Sequence, residues 1–226
     1  MRQIFADVLA RLQIPCSSPA FWASLCVSAG SLAAQDLVPS RATAGKQVPS
    51  SDFGPFRVVS TTRVVLAGLT DSRSPAAFQE LLRQHPQIRI LELRDCPGTV
   101  DDSANLRLGR IIRRNGIRTT VPANGSVRSG AIELFLAGAE RSAPDSARFV
   151  IHAWQSEGGA VRDFRAFSSS MSDTYTRYYR DMGMTEQAAQ SFYRQTMAVP
   201  SGRGLSLKAS ELARFVPIRA TLAAGT

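Results

Sequence analysis

Histidine and cysteine are scarce in this chain, with two and three copies among 226 residues, and the scarcity removes whole classes of chemistry. Cys16 and Cys26 both lie in the amino-terminal segment, which leaves Cys96 alone in the rest of the chain. A lone cysteine closes no internal disulfide framework, and so few histidines assemble no zinc-ligand cluster, so neither a metal site nor a cofactor is expected. Long apolar runs are missing as well. Residues 19–34, PAFWASLCVSAGSLAA, are apolar but rich in Ala, Ser and Gly, and they fall short of the ~20 apolar residues that a spanning helix needs. Aromatic residues are absent among the clustered arginines Arg107, Arg110, Arg113 and Arg114, which argues against a single-strand nucleic-acid groove. Those arginines alternate at helical spacing with Leu106, Leu108, Ile111 and Ile112, as on a solvated helix face.

What is present is enough for one core. Apolar residues make up 44% and charged residues 20% of the sequence, a balance that excludes wholesale disorder. Lys and Arg outnumber Asp and Glu by 27 to 18, and the excess is spread along the chain. Arg2 and Arg11 precede the 19–34 stretch, and Ser31-Leu32-Ala33 offers small residues where a signal peptidase reads them, so residues 1–33 are expected to be a signal peptide or a membrane anchor. An amphipathic helix through Ile4, Phe5, Val8, Leu9 and Leu12 is the competing reading. A periplasmic or secreted location follows from cleavage, and membrane attachment through the amino-terminal segment from retention. Residues 34–55, rich in Pro, Ser, Ala and Gly, are expected to be a linker, with the folded domain at 56–226.

From Phe56 onward, β-branched runs interleave with helical spacing. Strands are expected at 62–66, 88–93, 118–121 and 149–152, and helices over 76–82, 102–115 and 130–136. Gly116 supplies a stop signal for the second of these helices. Further helices are expected at 172–182, 186–197 and 209–215. Strands alternating with helices imply an α/β domain with a largely parallel sheet. Tyr175, Tyr178 and Tyr179 share a helix face, read here as packing surface, within the chain or at an interface.

Serine hydrolysis needs a hydroxyl that can be activated, a base within reach, and N–H donors where charge develops on the substrate oxygen. Three segments could supply them. Gly98, in Asp95-Cys96-Pro97-Gly98-Thr99-Val100, follows a buried strand, at the carboxyl end where α/β sites gather. Ser129-Gly130-Ala131 opens a helix, placing free N–H groups beside the hydroxyl. His152 ends a strand, whereas His85 stands at a helix end before Pro86 and is expected at the surface.

Together these segments resemble the proteolytic subunit of Clp protease and its crotonase-fold relatives. The resemblance spans residues 64–152: a strand, Pro97-Gly98-Thr99-Val100, an arginine-rich helix, Ser129-Gly130-Ala131-Ile132-Glu133-Leu134-Phe135-Leu136-Ala137-Gly138, Arg141, and Val150-Ile151-His152. The tyrosine-rich stretch from Tyr175 to Gly183 is similar to that of exported or membrane-attached members. The resemblance implies an α/β fold of repeated ββα units with carboxy-terminal helices, and a homo-oligomer with the tyrosine-rich helices as its interface. It places Ser129 as nucleophile, His152 as general base, and the Gly98 and Gly130 amides in the oxyanion hole, acting on a peptide or protein.

Two departures bear on activity. Pro97 stands where the family carries a glycine, and proline has no N–H to donate. The stretch Ser201-Gly202-Arg203-Gly204, where the family places its orienting acid, holds no carboxylate. Asp173, with Asp163 behind it, is the substitute candidate, an N-cap role being its alternative. Three functions therefore stand open: a serine hydrolase of peptidase type, a weak or inactive binding protein of the same fold, and acyl-CoA chemistry using paired amides with Glu133 as the acid.

Overall fold

The computed structural model describes residues 52–153 and 164–221. The expectations for residues 1–51, and Asp163, lie outside the described residues. Among those described, no helix is long and apolar enough to cross a membrane.

The chain enters through an antiparallel meander of β1 (Asp52–Phe53), β2 (Phe56–Val58) and β3 (Arg63–Leu66). Its first strand thus begins ahead of the expected start at Phe56. Helix α1 (Ser74–Gln84) then crosses to β4 (Ile90–Leu93), parallel to β3. From here a strand–strand–helix unit repeats. β4 is followed by β5 (Asp95–Cys96) and α2 (Asp102–Arg114), and β6 (Arg118–Thr120) by β7 (Ser126–Arg128) and α3 (Ala131–Leu136). β8 (Arg141–Ala143) and β9 (Arg148–Ile151) lead on to α4 (Phe164–Asp181). The first strand of each unit joins the larger of two sheets, ordered β1-β2-β3-β4-β6-β8-β11, where β11 is Arg219–Ala220. The second strand of each unit joins the smaller sheet, ordered β10-β9-β7-β5, where β10 is Leu205–Leu207. The repeated ββα core and the α/β class expected from the sequence are both present, with α5 (Glu186–Met197) and α6 (Ala209–Leu212) closing the chain.

Parallel strands covered on both faces read as apolar runs, as β3 does from Val64 to Leu66, whereas β4 is interrupted by Glu92, which pairs with Arg63 and Arg94. Val64, Val65 and Leu66 are buried, as are Leu91 and Leu93, against Phe78 and Leu81 of α1 and Leu108 and Ile112 of α2. Each such side chain contributes about 1.5–3 kcal/mol on burial. Helix α2 begins where Asp101 accepts from the Ala104 N–H at 2.8 Å, and it ends before Gly116, which turns with φ 64°.

Arginines of α2 do more than solvate a face. Arg110 pairs with Asp181 at 3.2 Å and lies over the Tyr178 ring, and Arg113 donates to the Gly138 carbonyl at 2.7 Å. The tyrosines, too, are committed inside the chain. Tyr178 and Tyr179 are wholly buried and bond Glu133 of α3, the first through its carbonyl at 2.7 Å and the second through Oε1 at 2.8 Å. These rings are therefore not free to form an interface between copies. Gly109 of α2 makes room for them, since a Cβ there would stand 1.9 Å from the Tyr178 hydroxyl.

Candidate active site

The small sheet brings three carboxyl-terminal strand ends to one edge. β5 pairs with β7 and β7 with β9, all parallel, in a register that sets Cys96 opposite Val127 and Arg128 opposite Val150. Residues leaving these ends are Gly98 on one side, Ser129 in the middle and His152 on the other. The Ser129 N–H still bonds the Val150 carbonyl at 2.9 Å, so Ser129 leaves β7 level with Ile151, one residue short of His152. Neighbouring strands lie about 4.8 Å apart. Ser129, Gly130 and His152 line one cavity.

Ser129 has φ 50°, in the left-handed region that residues with a Cβ avoid. Holding a serine there costs roughly 1–2 kcal/mol, which the surrounding structure must impose. The conformation turns the chain sharply from β7 into α3, and Ser129 lines the cavity. Among the described residues the Ser129 hydroxyl has no hydrogen-bond partner, so it is available for chemistry.

Gly98 has φ 138° and is buried, and a Cβ there would lie 2.9 Å from the Ser129 Cβ. Only glycine fits both the conformation and the approach. Its N–H and that of Gly130 donate to no acceptor among the described residues. Buried N–H groups without partners are rare in folded proteins. Pro97 adds no donor beside them.

The loop carrying Gly98 is fixed by residues that sequence reasoning overlooked. Thr70 donates its N–H to the Gly98 carbonyl at 3.1 Å, and its hydroxyl donates to Asn105 Oδ1 at 3.0 Å. The Asn105 amide in turn donates to the Gly130 carbonyl at 2.6 Å, and both side chains are buried. One asparagine thus ties the Gly98 loop to the turn after Ser129. Neither residue belongs to a recognisable motif, and only the fold brings them together.

His152 Nδ1 lies 2.8 Å from the Ala153 carbonyl, which can only accept. The proton therefore sits on Nδ1, and Nε2 carries the lone pair that a general base needs. The Ala153 N–H bonds the Val199 carbonyl at 2.7 Å, and β10 starts with Leu205 opposite Ile151. Ser201–Gly204 therefore runs next to His152 without a carboxylate. Asp173 does not replace it: the residue is exposed, lies in the middle of α4 rather than at a helix start, and does not line the cavity. The helix begins at Phe164, upstream of the expected 172. His85 caps the end of α1, edge-on to Phe53, and does not line the cavity.

Behind Ser129 the cavity measures about 40 Å³ and is walled by Asp102, Ile132, Glu133, Tyr175, Tyr179 and Tyr193, among others. Burial pushes the Glu133 carboxyl up to about 7, against the lowering effect of the Tyr179 hydroxyl bond. Among the described residues the buried Tyr193 hydroxyl has no hydrogen-bond partner. Among the described residues the lining holds the imidazole of His152 and the carboxyls of Asp102 and Glu133, and no lysine. Among the described residues no cluster of three or more His, Cys, Asp or Glu is placed to hold a metal ion. Cys96 is buried, with its thiol pushed up to about 12 by burial, and is no nucleophile.

Two solved structures are similar in arrangement. One is a serine-to-alanine variant of the 1510-N membrane-bound stomatin-specific protease, with a TM-score of 0.49 at 13% identity over 72% of this chain and 78% of that one. The other is a lysine-to-alanine variant in complex with a substrate peptide, at TM-score 0.47 and 14% identity over 72% and 76% of the two chains. No family model matches the sequence, and no curated protein does.

Proposed function

We propose that this protein is a serine hydrolase of peptidase type, acting through Ser129 and His152. The observation that carries the reading is Ser129 itself, held at φ 50° at the end of the middle parallel strand, against Gly98 and in one cavity with His152. Strain of this kind gathers where function requires it.

In the proposed reaction Ser129 Oγ attacks the acyl carbonyl while its proton passes to His152 Nε2. The carbonyl oxygen becomes an oxyanion that accepts from the Gly98 and Gly130 N–H groups. Collapse of the tetrahedral intermediate expels the amine, which takes the proton from His152, and water then cleaves the acyl-serine by the same relay. The Ala153 carbonyl keeps the histidine tautomer but brings no charge to the imidazolium, so turnover is expected to be slow beside that of a full triad.

Labelling with a fluorophosphonate tests the reading. Heat-sensitive labelling that disappears in Ser129→Ala supports it. Absence of labelling in the folded wild-type protein would overturn it in favour of a binding protein on the same scaffold, a reading favoured by the missing carboxylate beside His152.

A location in the cell envelope belongs to the same proposal, through residues 1–33 as an export signal or membrane anchor, and so does assembly into a homo-oligomer. Amino-terminal sequencing of the mature protein distinguishes cleavage from anchoring. Sedimentation as a monomer at micromolar concentration would remove the oligomer.

A further inference from the structure

Three features of the cavity behind Ser129 are not used by the Ser-His reaction. The Tyr193 hydroxyl is buried and unpartnered, on a residue only 9% exposed. A buried hydroxyl without a partner costs about 1–3 kcal/mol. Glu133, 7% exposed, lines the same space, and its Oε1 accepts from the Tyr179 hydroxyl. The size of the cavity is the third feature. At about 40 Å³ it holds roughly three water-sized groups, since each needs ~10–15 Å³ on this measure. That is room for a side chain of two or three heavy atoms, and too little for leucine or phenylalanine.

We propose that this cavity receives the side chain of the substrate residue whose carbonyl Ser129 attacks, and that it selects a short hydroxyl-bearing side chain, serine or threonine. The inference rests on the hydrolase reading and deepens it. A hydroxyl entering the cavity donates to the Glu133 carboxyl and accepts from the Tyr193 hydroxyl, so Tyr193 gains its partner when substrate is bound. An aliphatic side chain of the same shape would leave Tyr193 orphaned and cover the Glu133 carboxyl. Sites built to hydrogen-bond a substrate group reject the analogue that lacks it far more strongly than apolar pockets distinguish a methylene. Ile132 and Ile151 line the space between, and they accept the methyl group of threonine.

Threonine and valine have the same shape, so the pair isolates the hydrogen bonds. Peptide amides carrying Ala, Ser, Val, Thr or Leu at the attacked residue would be assayed with the full chain, alongside fluorophosphonate labelling of the same preparation. The expected wild-type result is a kcat/KM at least tenfold higher for Thr than for Val, and for Ser than for Ala, with Leu poorest. In Tyr193→Phe the Thr-to-Val ratio is expected to fall towards one, and the melting temperature to hold or rise, because an unpartnered hydroxyl has been removed. Labelled enzyme that prefers Val or Leu would overturn the pocket assignment and leave the Ser-His reading standing. So would a drop in the melting temperature of Tyr193→Phe with an unchanged Thr-to-Val ratio. Failure of the wild-type protein to label would overturn the hydrolase reading, and this inference with it.

Discussion

Gly98 and Ser129 approach so closely that a Cβ on the former would stand 2.9 Å from the Cβ of the latter. Two strand ends, β5 and β7, are locked at this point, with Ser129, the proposed nucleophile, leaving one and the Gly98 N–H, a proposed oxyanion donor, on the other. Gly98→Ala is therefore expected to displace either the serine or the donor. Removing one oxyanion donor costs about a hundredfold to a thousandfold in turnover. Far-ultraviolet circular dichroism should remain that of the wild type while peptide hydrolysis falls by that factor; full activity would separate Gly98 from the chemistry.

Asn105 connects Thr70 to the Gly130 carbonyl, so it positions both sides of the proposed oxyanion hole without touching substrate. Displacing catalytic groups by about 1 Å can cost ~100-fold. Asn105→Ala should lower kcat by about that amount with little change in KM, and slow fluorophosphonate labelling in parallel. A purely structural role would reduce the melting temperature and leave the kcat of the remaining folded enzyme intact.

Glu133 gives stability a pH dependence of definite sign. Its carboxyl titrates near 4.5 when exposed and is pushed up to about 7 in the fold by burial. The folded state therefore binds the proton more tightly, and its advantage is complete below 4.5 and lost as pH rises towards 7. The loss amounts to ~3 kcal/mol by linkage. Urea midpoints measured from pH 4.5 to 8 should decline across this range in wild type and flatten in Glu133→Gln.

Helix propensity and packing oppose each other at Gly109. Exchanging a mid-helix glycine for alanine gains about 1 kcal/mol in an isolated helix. Here the new methyl group would stand 1.9 Å from the Tyr178 hydroxyl and 2.8 Å from its Cζ. Overpacking costs about 1–3 kcal/mol, and dislodging Tyr178 also breaks its bond to the Glu133 carbonyl. Gly109→Ala should lower the melting temperature, and Tyr178→Phe should restore only part of it because the ring carbon remains too close.

Arg141 illustrates what spacing in sequence conceals. It is 5% exposed and reaches three carbonyls, those of Leu136 at 2.7 Å, Pro217 at 3.4 Å and Met182, from three separate segments. Read along the chain it is one residue of a motif; in the fold it joins the end of α3, the end of α4 and the approach to β11. Nothing within a few positions of Arg141 announces those partners.

Local chemistry sufficed for the elements whose signals are periodic. The β-branched runs that became β3 and β4, the Asp101 cap and Gly116 stop of α2, and the glycine after Ser129 are all decided within a few residues by sterics and hydrogen bonding. Strands as short as β5, β7 and β10 have no period to read, since two or three residues take their extended form from the ladder they join. The left-handed Ser129, the unused N–H of Gly98, the Asn105 tie and the placing of Tyr193 and Glu133 around one cavity are products of tertiary structure alone. Each depends on segments tens of residues apart being pressed together, and the energy that holds them there comes from the buried core rather than from the residues themselves.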